Sequence, residues 1–213
     1  MNDYDRLGRN EIIKIPEPCP SCNHPGEALT AITDIPHFKE IIIMAFNCSS
    51  CGFRNNDIKA GGAVPSYGTT VTLKVESFED MKRDVLKSDS AQVFIPEIEL
   101  ELQHGTLGGL YTTVEGLLKK ILSNLRENNP FLIGDSSRLH HSSNPETSET
   151  NRIFLLFLDK LEQLADGNIF PFNLIIRDPL GNSFVSPQIG SSLPPETDPQ
   201  LHMEDFVRSF EEV

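Results

Sequence analysis

At 213 residues, with 38% hydrophobic and 23% charged side chains, the chain has the make-up of a soluble globular protein with room for one or two cored domains. Its formal net charge of −13 argues against sequence-independent phosphate binding, and no apolar run approaches the roughly 18 residues that a membrane span needs. Residues 1–18 hold no apolar stretch followed by a small-residue cleavage site, so no secretory leader is expected and the thiols should meet a reducing compartment.

The first feature in chain order is the cysteine pattern. All four cysteines fall in two CxxC pairs, Cys19/Cys22 and Cys48/Cys51. Two intervening residues let one tight turn aim both sulfurs at a single ion, and a second such turn completes a tetrahedron. Asn23 and Gly52 follow the pairs, and both residue types tolerate the left-handed conformation that such a turn requires. Four thiolates close the coordination shell, so the pattern predicts one structural Zn2+ rather than a catalytic one. His24 and His37 lie in the same region and are read as loop and turn residues, not ligands. Residues 28–32 and 41–46 read as strands around a turn at Asp34-Ile35-Pro36-His37. Residues 1–62 carry six Lys/Arg against eight Asp/Glu, so the expected finger is no basic island and nucleic acid is not its expected partner.

A flexible link is expected over 59–68, followed by an alternating strand over 69–75 with Val71, Leu73 and Val75 on one face. Ser77 and Asp80 have the spacing of a cap for a short helix carrying Phe78, Met81 and Val85. Residues 91–102 read as a strand interrupted by Pro96, with Ile98, Leu100 and Leu102 inward and Glu97, Glu99 and Glu101 on a solvated face. The loop Gly105-Thr-Leu-Gly-Gly109 lacks the Lys-Ser/Thr of a phosphate loop and reads as a turn into a helix. Thr112 and Glu115 have capping-box spacing, and Val114, Leu117, Leu118, Ile121, Leu122 and Leu125 form an apolar stripe.

Residues 135–150, with His140 and His141, read as a mobile polar loop before a second helix over 152–165 that Gly167 would stop. Strands follow at 172–177 and 182–185 around the turn Asp178-Pro-Leu-Gly181. Residues 186–200 are read as irregular and 203–213 as a short amphipathic helix. Asp178, Asn182 and Ser183 are the best polar cluster, but no nucleophile, base and orienting group can be assembled around them, so no enzyme activity is expected.

Four segments in order resemble the ZPR-type zinc-finger proteins: CPSC at 19–22, IPHFKEIIIMAFNCSSCGFRNND at 35–57, GTLGGLYTTVEGLL at 105–118 and DPLGNSF at 178–184. The resemblance implies a mixed, mainly β chain. A four-Cys zinc finger (residues 1–62) would be followed by a double-stranded β-helix, or jelly-roll-like, domain (63–213) with a helical hairpin inserted at about 112–166. It implies Cys19, Cys22, Cys48 and Cys51 as metal ligands. The implied role is that of a chaperone and binding partner of translation elongation factor one-alpha, with links to growth signalling and presence in cytoplasm and nucleus. Eukaryotic members carry two such modules and this chain shows one. The 105–113 motif suits a recognition surface and a turn-and-cap equally. A nucleic-acid-binding zinc ribbon is the alternative, and oligomeric state is left open by the composition.

Overall fold

The computed structural model describes residues 11–35, 38–61, 64–130, 145–188 and 195–209. It opens with a four-stranded antiparallel sheet in simple order: β1 (Ile12–Pro18), β2 (Pro25–Asp34), β3 (Glu40–Asn47) and β4 (Arg54–Ala60). The two central strands are rich in β-branched and aliphatic residues and pair along their length, Ala28 opposite Phe46 and Asp34 opposite Glu40. The outer strands are poor strand formers by composition. β1 carries Pro16 and Pro18, which deny donors to any further strand at that edge, and β4 reads Arg-Asn-Asn-Asp-Ile-Lys-Ala. Residues 59 and 60, expected in a flexible link, belong to β4. The expected domain boundary at 62/63 lies outside the described residues.

Eight further strands make two sheets. A five-stranded antiparallel sheet runs in the order β12-β5-β10-β7-β8, and a three-stranded one in the order β11-β6-β9. The larger sheet comprises β5 (Gly68–Val75), β7 (Gln92–Ile95), β8 (Leu100–Leu102), β10 (Phe172–Asp178) and β12 (Leu201–Phe206). The smaller has β6 (Asp84–Lys87), β9 (Leu110–Thr113) and β11 (Phe184–Val185). Helices α1 (Val114–Asn128) and α2 (Pro145–Ala165) form a hairpin between β9 and β10. This is a mainly β, jelly-roll architecture, with these two α-helices among the described residues, following a four-cysteine finger. One core joins the sheets to the helices: Val71, Leu73 and Val75 meet Leu174 and Ile176, and Leu117, Leu118, Ile121, Leu161 and Leu164 cover them.

Several expectations are corrected. The residues at 203–206 extend as part of β12 rather than coiling, because the free edge of β5 offers six backbone partners from Gly68 to Leu73. Arg177 then stacks on the Phe206 ring, 3.9 Å from its centroid. The strand expected at 182–185 shortens to Phe184–Val185, and the turn before it crosses between sheets, since β10 belongs to the larger sheet and β11 to the smaller. Ser77 caps nothing. The Asp80 carboxylate accepts from the Glu76 and Ser77 N–H groups, and only a 3-10 turn follows over Asp80–Lys82, with Val85 already in β6. The cap of α1 is Thr113, whose Oγ1 accepts from Gly116 N at 3.1 Å, while Thr112 pairs in β9. Residues 145–150, expected in a loop, form the first turns of α2. His140 and His141 lie outside the described residues. Among the described residues no helix is long and apolar enough to cross a membrane.

The finger sheet is joined to the jelly roll at its β2–β3 end. Ile35, Ile41, Leu86 and Phe184 are buried together with Phe38, Ile43 and Ile58 packed against them. The Phe38 and Phe184 rings stack at 4.9 Å, and Lys39 Nζ donates to the Gly181 carbonyl at 2.8 Å. On the other side of the contact, Gly109 lies against β4 so closely that a Cβ there would stand 2.3 Å from the Ile58 carbonyl oxygen. The loop at 105–109 is therefore a packing surface between the two parts of the chain as well as a turn.

Candidate metal centre

Both CxxC pairs sit at the end of the finger sheet remote from the jelly roll. The first occupies the turn from β1 to β2 and the second the turn from β3 to β4. By a rise of about 3.3 Å per residue, eight-residue β3 places the cysteines roughly 26 Å from the docked end.

The two turns repeat one hydrogen-bond pattern. Cys19 N donates to His24 O at 2.9 Å, and Asn23 N donates to Cys19 O at 2.8 Å. Cys48 N donates to Phe53 O at 2.8 Å, and Gly52 N to Cys48 O at 3.0 Å. Each closing residue has the left-handed backbone expected of it, with φ of 61° at Asn23 and 74° at Gly52. Chain reversal within two residues of the second cysteine is what points the paired sulfurs the same way.

The four sulfurs lie within 4.8 Å of one another. Cys19 Sγ stands 3.7 Å from Cys51 Sγ, and Cys22 Sγ 3.6 Å from Cys48 Sγ. These separations are far beyond the roughly 2.05 Å of a disulfide. They fit the edge of a tetrahedron with metal–sulfur bonds of about 2.3 Å, which is about 3.75 Å. Cys19 and Cys48 are buried against Phe46, with Ala28 and Phe53 alongside, while Cys22 and Cys51 face outward. The sulfurs thus have an apolar floor and a solvent-facing lid. The four cysteines are positioned to bind a metal ion.

Electrostatics support the same reading. The N–H of Cys51, with help from that of Ser50, draws the Cys48 thiol down to about 6. At Cys22 the His24 N–H acts in the same sense, but the neighbouring thiols, Cys51 foremost, together with burial push it up to about 12. Thiols this close share protons, since one ionised sulfur resists the ionisation of the next. A divalent cation at the centre removes the conflict by stabilising all four thiolates. His24 is exposed and is not among the clustered donors, and His37 lies outside the described residues.

The polar group around Asp178 is a second site on which sequence reasoning focused; its carboxylate is tied into a knot beneath a cavity of about 500 Å³ that Ser88, Ser90 and Asn182 help to line. The buried carboxylate accepts from Ser88 Oγ at 2.7 Å, Ser90 Oγ at 2.6 Å and Ser183 Oγ at 2.7 Å. It also accepts from the N–H groups of Leu180 at 2.9 Å and Asn182 at 2.8 Å. Burial alone would raise its pKa, but the serine hydroxyls, Ser90 first, and the Asn182 N–H outweigh that and lower it. Ser88 and Ser90 lie some ninety residues away in sequence, and nothing local to the 178–183 motif announced them. Buried Lys87 beside it donates to the carbonyls of Ser88 at 3.0 Å and Gly108 at 3.4 Å, which ties the 105–109 loop to the same knot. Its pKa is lowered by burial, against the pull of Asp89 and Asp178.

Comparison with known proteins places both parts of the chain. A family model described as the ZPR1 zinc-finger domain matches residues 11–66, and one described as the ZPR1 jelly-roll domain matches residues 79–213. Zinc finger protein ZPR1 of Homo sapiens is 43% identical over 204 residues, 96% of this chain and 41% of that protein. The zinc finger chaperone zpr1 of Schizosaccharomyces pombe is 39% identical over 202 residues, 95% of this chain and 41% of that protein. A ZPR1-like protein of Methanocaldococcus jannaschii, described as uncharacterized, is 29% identical over 172 residues, 78% of each chain. The chain therefore spans about two fifths of the length of the eukaryotic relatives it matches.

Proposed function

The chain belongs to the ZPR1 family of zinc-finger proteins, and from that premise we propose that it is a zinc-dependent protein-binding module with chaperone function. Its proposed client is translation elongation factor one-alpha, with growth signalling as the downstream process. The observation that carries the reading is the closed four-sulfur cluster at the outer tip of a sheet whose other end is anchored. Four thiolates at tetrahedral spacing select a borderline-soft d10 ion, which in a reducing compartment is Zn2+. A closed shell leaves no position for water or substrate, so the metal's task is to hold the tip in shape. That tip is the part of the finger most available to a partner.

The net charge of −13 favours a client with a basic face and disfavours nucleic acid. The chaperone role named for the fission-yeast relative supports the same class of activity. No turnover is assigned to the chain. The most enzyme-like group, Asp178, is already engaged by five donors. Incubation with GTP should release no phosphate above background. Cytoplasm and nucleus are the proposed compartments, and imaging of the tagged chain would reveal any other.

The deciding test is titration of the zinc-loaded chain with elongation factor one-alpha at low and high salt. Saturable binding that weakens with salt is expected. A folded, zinc-loaded chain that ignores the factor at low salt would refute the assignment of client.

A further inference from the structure

An apolar groove runs between α2 and the 3-10 turn at Pro96–Ile98, away from both the metal centre and the Asp178 knot. One wall is the α2 face of Ile153, Phe154, Leu156 and Phe157; the other is Ile98 with Glu97 and Glu99. Its volume is about 530 Å³. Ile153 and Leu156 are 57% and 54% exposed. Ile153 and Leu156 stand three positions apart on one helix face and line the groove together, and large aliphatic side chains left in water in this way mark a contact surface.

The charged rim says what the groove fits. Glu97 and Glu99 are both exposed on the turn side, and Glu101 continues the acidic row. Glu97 is held in place by Asn173, whose N–H and Nδ2 donate to its Oε1 at 3.0 and 2.8 Å. Glu99 has a φ of 56°, a left-handed conformation that an L side chain adopts at a cost and that ends the turn. Lys160 closes the groove at the C-terminal side of the α2 wall, and Arg152 on the same helix is paired with Glu149. The acidic turn sits within the field of a chain whose net charge is −13.

We propose that this groove receives an amphipathic helix of a partner protein, with its apolar face on Ile153, Leu156 and Phe157 and a lysine or arginine against Glu97 and Glu99. This rests on the protein-binding reading above and adds to it a surface and a chemistry.

The probe is a labelled 18-residue model helix of leucine and lysine, with a leucine–glutamate helix of equal length as control, followed by fluorescence anisotropy on the whole chain. The lysine helix should bind at least tenfold more tightly than the glutamate helix. Ile153→Asp with Leu156→Asp should weaken it at least tenfold. Glu97→Gln with Glu99→Gln should remove most of the preference for lysine. Backbone hydrogen exchange on the unmodified chain should slow at 150–160 when the helix is added, which keeps the test independent of how the variants fold. Equal binding of the two helices, or protection elsewhere, would overturn the proposal. So would self-association of the chain that Leu156→Asp abolishes, since a second copy would then be the occupant. Elongation factor that binds a chain indifferent to the lysine helix would refute the groove and leave the client standing; the converse result would refute the client alone.

Discussion

Arg83 is buried at 1% exposure and joins two separated pieces of the chain, its own 3-10 turn and the segment at 198–200. Its Nε donates to Asp80 Oδ1 at 2.9 Å, one terminal nitrogen reaches Asp198 Oδ2 at 2.6 Å and the other Gln200 Oε1 at 2.5 Å. Asp198 and Gln200 directly precede β12, so the guanidinium ties down the entry to the last strand, beside that strand's own pairing with β5. Arg83→Met keeps much of the side-chain bulk and removes the charge, leaving two buried carboxylates facing an apolar group. Removing one partner of a buried ion pair costs about 3–5 kcal/mol. At roughly 2–4 °C per kcal/mol for a chain of this size, the melting temperature should fall by about 6–20 °C. The pH dependence gives a second handle. Asp80 and Asp198 resist the upward push of burial and are held below the usual carboxylate range. At Asp80 the offset comes from the Glu76 N–H and then Arg83; at Asp198 it comes from the Gln200 N–H and then Arg83. Groups with depressed folded-state pKa values stabilise above their unfolded pKa and lose that contribution as pH falls through the folded value. The gap between parent and Arg83→Met should therefore be widest near neutrality and narrow on acidification. Thermal unfolding followed by circular dichroism from pH 7 to pH 3 measures both. A variant within about 1 kcal/mol of the parent at pH 7, or a gap that widens in acid, would refute the reasoning.

Gly109→Ala should strain the contact between finger and jelly roll, since its Cβ would meet the Ile58 carbonyl at 2.3 Å and both sides are backbone. Overpacking of this kind costs about 1–3 kcal/mol, and limited proteolysis should detect faster cleavage near the boundary; unchanged cleavage and stability would contradict it. Asp178→Asn replaces an acceptor with a donor amid five donors, so it should cost at least about 1.5–3 kcal/mol by urea unfolding. Because the folded pKa of Asp178 is depressed, that loss too should shrink as pH falls below the carboxylate range.

The gathering of the four cysteines and the middle of the finger were legible because CxxC spacing and left-handed residues are local signals. Asn23 and Gly52 adopt the backbone that their position after each CxxC demands. The strands flanking them were not legible. Nothing in the two prolines of β1 or the Asn-Asn-Asp of β4 favours a strand, and each is held by its neighbour across the sheet, Leu29 opposite Lys14 and Ala45 opposite Asn56. The apolar stripe of α1 survived intact because a 3.6-residue period over four turns has no competing reading, although its cap lies one residue later than the Thr112–Glu115 spacing suggested. At the C-terminus, Met203 and Phe206 have helical spacing, yet the free edge of β5 outweighed a short segment with little apolar surface to bury. Asp178, Asn182 and Ser183 stood out as a local cluster, but the distant halves of the knots at Asp178 and Arg83 were invisible because Ser88, Ser90, Asp198 and Gln200 come from 88 to 117 residues away.

The central question is whether the metal-shaped tip is what meets the partner. The direct measurement is calorimetric titration of elongation factor one-alpha into the zinc-loaded chain, into the same chain stripped by a chelator, and into a Cys48→Ser variant. Unfolding of the jelly roll is followed in parallel. We expect one zinc per chain, binding that disappears with the metal or with Cys48, and a jelly-roll transition that persists in all three. Binding of equal strength by the stripped chain, with its jelly roll folded, would contradict it.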